Sequence, residues 1–219
     1  MDLGLKDKVA WAAGSSRGIG LAIARRLAEE GCRVALSGRN RRALKSARRE
    51  LEAAFGRDRI AAFAGDLSAD RFARAAAQGC VSRWGRLDIL VAIAGTGRIP
   101  GGQAPAQADW DLAFKLNLRP AVACARRALP FLEKSGGTIV VIGSIAGVEA
   151  LGAPVAYSGA KAALLAWAKA LSRDAGRRGV RVNAVIPGNI FFPGGSWDLM
   201  RRKDRKAVDN HIRTEVPLE

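Results

Sequence analysis

Apolar residues fall along this chain in two alternating rhythms. Short apolar runs, several bounded by glycine, are followed by longer stretches in which apolar positions recur every three or four residues. The first rhythm predicts buried strands at 9–13, 34–37, 60–64, 89–94, 138–142 and 180–186. The second predicts helices at 19–30, 41–55, 69–84, 106–132 and 155–176. A further short helix at 197–212, after the loop Gly194-Gly195-Ser196, is expected to lie over the sheet edge. Strands alternating with helices predict an α/β fold, a doubly wound parallel sheet of the Rossmann type with right-handed crossovers and helices on both faces. Ligands of such sheets bind beyond the strand C-termini. No Pro/Gly/Ser linker divides the chain, so 1–219 is expected to form a single domain, with a lid segment at about 189–213.

Composition narrows the chemistry. Cys32, Cys80 and Cys124 are odd in number, far apart and without a CxxC spacing, which argues against a disulfide framework or a zinc site and for a reducing cytoplasm. His211 is the only histidine, so neither imidazole-based nucleophilic catalysis nor a histidine metal site is expected. No apolar run is long enough to cross a bilayer, and the N-terminus has no leader pattern, so no membrane partner is expected. The net charge of +16 raises nucleic acid as a partner. The arginines are dispersed over nearly every predicted helix, however, which reads as solvated helix faces and no specific nucleic acid.

Strand one runs into Ala13-Gly14-Ser15-Ser16-Arg17-Gly18-Ile19-Gly20, and this turn opens the first helix. Gly14 permits a tight turn, Gly18 lets backbone approach a pyrophosphate, and Gly20 allows close helix packing. The helix N-terminus offers free N–H donors to an anion. A dinucleotide is therefore expected here, against the plainer reading of a strand-to-helix turn without ligand. About twenty residues on, where NAD-dependent proteins place an acid, the chain reads Ser37-Gly38-Arg39-Asn40. No carboxylate there repels a 2′-phosphate, and Arg39 and Arg17 can each bond one, so NADP(H) is preferred over NAD(H).

Tyr157-Ser158-Gly159-Ala160-Lys161 begins a helix and puts a phenol and an ammonium one turn apart on the same face. Free tyrosine titrates near pH ~10, and a neighbouring lysine charge or an oxidised nicotinamide favours the phenolate. Ser144 ends strand five thirteen residues earlier, where its hydroxyl can orient a carbonyl. Asn117 falls mid-helix in the pattern, an awkward place for a side chain that competes for helix hydrogen bonds.

The GxxxGIG spacing, with Asn117, Ser144, Tyr157 and Lys161 following in that order, resembles the short-chain dehydrogenase/reductase family, in particular 3-oxoacyl-acyl-carrier-protein reductase-like members. The resemblance spans Lys6 to about Leu218. It implies a ketoreductase with strand order 3-2-1-4-5-6, a homo-oligomer, and an Asn–Ser–Tyr–Lys catalytic set in which Tyr157 exchanges the proton and Lys161 holds the nicotinamide ribose. A water between Asn117 and Lys161 serves as proton relay in this picture. The cofactor contacts it implies are Gly14, Ser16, Arg17, Gly18, Ile19, Gly20, Arg39, Asp66 and Leu67 near the adenine, Ala94, Gly95, Tyr157, Lys161, and Pro187, Gly188 and Ile190 beside the nicotinamide. Asp66 or Ser68 also reads as the cap of the next helix. Three departures stand out. Ala13 replaces the usual Thr, so one hydrogen bond shaping the turn is expected to be missing. Ala92-Ile93-Ala94-Gly95 replaces Asn-Asn-Ala-Gly. The chain ends at Glu219, before the family's seventh strand, which is expected to leave strand six at an exposed edge. The main alternative to an active reductase is a truncated NADP-binding protein with little or no turnover.

Overall fold

Two rows of buried side chains alternate along the first strand, which fixes how the sheet is covered. Val9, Trp11 and Ala13 face one core cluster while Ala10 and Ala12 face another. This is the period-2 alternation of a strand buried on both faces. The structure, a computed structural model, describes residues 2–216. Its strands are β1 (Val9–Ala13), β2 (Arg33–Gly38), β3 (Ile60–Ala64), β4 (Ile89–Ala92), β5 (Thr138–Ile142) and β6 (Arg181–Val185). All pair in parallel, in the order β3-β2-β1-β4-β5-β6. That is the expected Rossmann order.

The helices are α1 (Gly18–Glu29), α2 (Arg41–Phe55), α3 (Asp70–Trp84), α4 (Gln107–Asn117), α5 (Arg119–Ser135), α6 (Val155–Gly176), α7 (Ser196–Lys203) and α8 (Arg205–Glu215). Leu44 and Leu51 of α2 and Ala24 and Ala28 of α1 bury against one sheet face. Leu132 of α5, Leu164 of α6 and Ala76 of α3 bury against the other. Among the described residues no strand pairs with the outer side of β6, and Val185 there is 52% exposed.

Three expectations are corrected. The single helix at 106–132 is two helices that part at Leu118, whose φ of −114° is stretched well beyond the helical value while ψ stays helical at −54°. Pro120 is the cause: it has no N–H for the Leu116 carbonyl, and its ring would clash with that carbonyl in a continuous helix. The helix at 197–212 is also two, parted at Asp204, whose extended backbone starts α8 and whose carboxylate accepts from Ala207 N at 2.9 Å. Strand four ends at Ala92 rather than 94, because the N–H groups of Ile93 and Ala94 both turn onto the Ala13 carbonyl at 2.9 Å.

The described chain divides into two compact units, one ending at Pro187 and one starting at Gly188. The first holds the sheet and α1 to α6. In the second, Asp198 is buried and its carboxylate accepts from Gly194 N at 2.7 Å while pairing with Arg202, and the rings of Trp197 and His211 stack 5.0 Å apart. No helix among the described residues is long and apolar enough to cross a membrane.

Candidate active site

The glycine turn is held from both sides. Gly14 has φ +107°, and a Cβ on it would lie 2.7 Å from Ala94 N; only glycine fits. A Cβ on Gly20 would meet the Gly14 carbonyl oxygen at 2.2 Å, so α1 begins in direct contact with the turn. The N–H groups of Gly14 and Ser15 donate to the Ser37 carbonyl at 3.1 and 3.0 Å. Ser15, fully buried, donates through its hydroxyl to Ala12 O at 2.7 Å and accepts from Ser37 N at 3.2 Å. The Ser37 hydroxyl in turn accepts from Trp11 Nε1 at 2.9 Å. The Ser15 hydroxyl thus braces the turn in which Ala13 offers none. Sequence reasoning passed over it; the signal was a serine directly after the first glycine.

No side chain caps α1, whose N-cap is the extended Arg17. The first-turn N–H groups of Gly18, Ile19 and Gly20 therefore point past the end of β1 without an intrahelical acceptor. Ser16 is half-buried beside Gly38, and Arg39 is exposed at the end of β2. These residues fit a dinucleotide: a backbone cradle that a Cβ would fill, followed by an arginine where a ribose-binding acid would stand.

Asp66 does not cap α3, whose N-cap is Ala69 without a side-chain bond. Its Oδ1 instead accepts from Ser68 N at 3.0 Å and from the Ser68 hydroxyl at 2.8 Å. Those bonds, chiefly the backbone one, lower the Asp66 pKa, and the charges of Arg39 and Lys115 add to the effect. Leu67 beside it is buried.

The second half of the site gathers at the C-terminal ends of β4 and β5. Lys161 is 4% exposed and its Nζ donates to the Ile142 carbonyl at 3.0 Å. Burial brings its pKa down to about 8. Tyr157, one turn earlier on α6, is half-buried and near the Ser144 hydroxyl, which accepts from Ala146 N at 3.2 Å. Burial raises the phenol pKa, and the Ser144 contact only partly opposes it. The sequence argument, which counts the lysine charge, favours the phenolate. In the folded chain desolvation is the larger effect, so the neutral phenol is the stable form.

Asn117 is not mid-helix; it is the last residue of α4 and fully buried. Its Nδ2 donates to Ala113 O at 3.1 Å and its Oδ1 accepts from Thr96 N at 2.8 Å. A Cβ on Gly95 would meet Asn117 Oδ1 at 2.8 Å and Lys161 Nζ at 3.4 Å, and one on Gly97 would lie 3.9 Å from Tyr157 Cζ. The loop after β4 therefore runs between the amide, the amine and the phenol. The structure brings together Asn117, Ser144, Tyr157, Lys161, Ala94 and Gly95, with Gly14 reaching Ala94. Pro187 closes the first unit, its carbonyl accepting from Ile145 N at 3.0 Å, while Gly188 and Ile190 belong to the second.

The cysteines are buried free thiols, with burial pushing Cys32 up to about 11 and Cys80 to about 12. No group of three His, Cys, Asp or Glu among the described residues is placed to hold a metal ion.

A parallel sheet in this order, with a glycine cradle at β1 and a Ser–Tyr–Lys cluster at β5 and α6, defines a dinucleotide-type dehydrogenase. The chain belongs to the short chain dehydrogenase family, which it matches over residues 8–193. It is 35% identical to D-threitol dehydrogenase of Mycolicibacterium smegmatis over all of its own length and 84% of that protein. It is 32% identical to a 3-oxoacyl-[acyl-carrier-protein] reductase of Chlamydia muridarum, covering 85% of this chain and 75% of that one. In structure it is similar to L-sorbose reductase from Gluconobacter frateurii, complexed with NADPH and L-sorbose, with a TM-score of 0.87, 32% identity, and coverage of 97% of this chain and 82% of that one.

Proposed function

We propose that this protein is an NADP(H)-dependent oxidoreductase that interconverts a carbonyl group and a secondary alcohol. The observation that carries the reading is the convergence of buried Lys161, buried Asn117 and the Tyr157 phenol on the loop after β4, with the Ser144 hydroxyl near the phenol. The cofactor, when bound, supplies or takes up the hydride.

The chain's own residues handle position and the proton. In the reducing direction, Ser144 donates a hydrogen bond to the substrate carbonyl oxygen and holds it against the phenol. Tyr157, kept neutral by burial, gives that oxygen its proton as the C–O bond is reduced to an alcohol. Lys161 bonds the nicotinamide ribose hydroxyls and restores a proton to Tyr157, with a water against Asn117 completing the relay. Asn117 is also a positioning residue, because its Oδ1 fixes the loop at Thr96.

The cradle of Gly14, Ser16, Gly18, Ile19 and Gly20 holds the pyrophosphate, and Asp66 and Leu67 flank the adenine. Arg39 and Arg17 bond the 2′-phosphate; the NADPH in L-sorbose reductase supports that preference. Ala94, Gly95 and Pro187 line the nicotinamide side. The protein works in the cytoplasm on a small molecule, as a homo-oligomer.

The test is NADPH oxidation against a panel of ketones, by wild type and Tyr157→Phe. Loss of the phenol lowers kcat by about a thousandfold while NADPH fluorescence still reports binding. The second reading is a cofactor-binding protein with little turnover. It gains if wild type binds NADPH and oxidises none.

A further inference from the structure

Between Ser144 and Tyr157 the chain leaves the sheet, makes a 3-10 turn at Ile145–Gly147 and re-enters α6. This segment is fixed in place. Ile145 N donates to Pro187 O at 3.0 Å, Glu149 N donates to Ile145 O at 2.9 Å, and a Cβ on Gly147 would lie 2.9 Å from the Lys161 carbonyl carbon. From this anchored stretch Val148, Leu151 and Val155 hold 55%, 52% and 45% of their surface outside the protein. The only other large apolar residues exposed among the described residues of the first unit are Leu3, Leu112, Val185 and Ile186. Three of seven thus fall within eight residues of chain that lead into the first turn of α6 and its phenol.

The same stretch is poor in hydrogen-bonding side chains. From Ile145 to Ala156 the only polar or charged one is Glu149, in a chain where 26% of residues are charged. A polyol or sugar needs a partner for each hydroxyl, because a buried hydroxyl without one costs free energy that binding must overcome. An apolar body needs only surface to cover.

We propose that the substrate is a ketone or secondary alcohol whose reacting carbon carries an apolar body, which lies on Val148, Leu151 and Val155. The proposal rests on the oxidoreductase reading and names the substrate class within it. Covering exposed apolar side chains on the segment that joins Ser144 to Tyr157 orients the carbonyl toward the phenol and removes water from it.

The experiment measures NADPH oxidation by the full chain with 2,3-butanedione as a small reference, 2-tetralone as the apolar ketone and dihydroxyacetone as the polyol ketone. The kcat/KM for 2-tetralone is expected to exceed that for dihydroxyacetone by about a hundredfold. Leu151→Ser and Val148→Ser are each expected to lower the 2-tetralone to butanedione ratio by about tenfold, mainly through KM. Leu112→Ser, on the exposed side of α4, leaves that ratio as it is. Equal use of dihydroxyacetone and 2-tetralone overturns the proposal. So does an unchanged ratio in the loop variants, including the case where they alter only the oligomeric state and the patch is a subunit contact. If butanedione is reduced and 2-tetralone is not, the substrate class is wrong and the redox reading stands. If no carbonyl compound oxidises NADPH, the redox reading falls and the substrate class with it.

Discussion

Trp110 on α4 lies flush against Gly159 on α6, where a Cβ would come within 2.6 Å of the indole Cζ3. Gly159 is the middle residue between Tyr157 and Lys161. Trp110 lies two turns before Asn117 on α4, with Ala113 between them in the cluster of Ile99, Ala156 and Ala160. The indole on the glycine therefore sets the register between the helix that carries Asn117 and the one that carries the phenol and the amine.

Gly159→Ala is expected to push these helices apart and lower kcat by about tenfold or more, with a loss of about 1–3 kcal/mol in stability from overpacking. Trp110→Phe takes away the ring atoms that the added methyl group would strike. The double variant Trp110→Phe/Gly159→Ala is therefore expected to recover more activity than the product of the two single effects allows. Steady-state kinetics and thermal melts of all three check this. Strictly additive losses would mean that the contact does not couple the two sites.

What was legible in the sequence is what depends on neighbours along the chain. The glycine turn, the Tyr157 and Lys161 pair and the alternation that yields strand order 3-2-1-4-5-6 all follow from local spacing and from the period of burial. The Trp110 contact is different in kind, since residues 49 apart meet only after α4 has packed on α6. The break at Leu118 was there to be read in Pro120, but the apolar periodicity continues across it, and periodicity was given the greater weight. The effect of burial on Tyr157 is hidden from the sequence for a related reason. A sequence shows which charge stands nearby and does not show how much water the fold removes from the phenol.

Arg39 is exposed at the end of β2 and Asn40 next to it is committed to capping α2, accepting from Ala43 N at 2.9 Å. Arg39 is therefore proposed, together with Arg17, as a partner of a 2′-phosphate. Arg39→Ala is expected to raise the KM for NADPH by about tenfold, the loss of one charge-assisted pair, with little change for NADH. Parallel titrations with the two cofactors check it. Equal effects on both would assign Arg39 a general electrostatic role.

Asp88 anchors the opposite edge of the sheet. Its buried carboxylate accepts from Val9 N at 2.9 Å and from Arg86 Nη2 at 2.6 Å. Asp88→Ala leaves the Val9 N–H and the guanidinium without their partner and is expected to cost about 3 kcal/mol. Chemical denaturation measures the loss, and the KM for NADPH is expected to stay unchanged because the cradle lies at the other ends of the strands. A stability change below about 1 kcal/mol would show that water replaces the carboxylate.

Lys161 is the residue for which stability and activity should separate. Its pKa is about 8 in the folded chain and about 10.4 in an unfolded one, so between those values the unfolded state binds the extra proton. Stability therefore rises as pH climbs from about 8 toward about 10, and below pH 8 the fold bears the full cost of a buried ammonium. At about 1.4 kcal/mol per pKa unit, less about 1 kcal/mol for the lost bond to Ile142 O, Lys161→Met is expected to stabilise the protein by about 2 kcal/mol at pH 7. It is also expected to remove most turnover. The gain should fade toward pH 10, where wild-type Lys161 is already neutral. Denaturation curves at pH 7 and pH 10 decide the matter: a destabilised variant at pH 7 would mean that the ammonium contributes more to the folded chain through its surroundings than its burial costs.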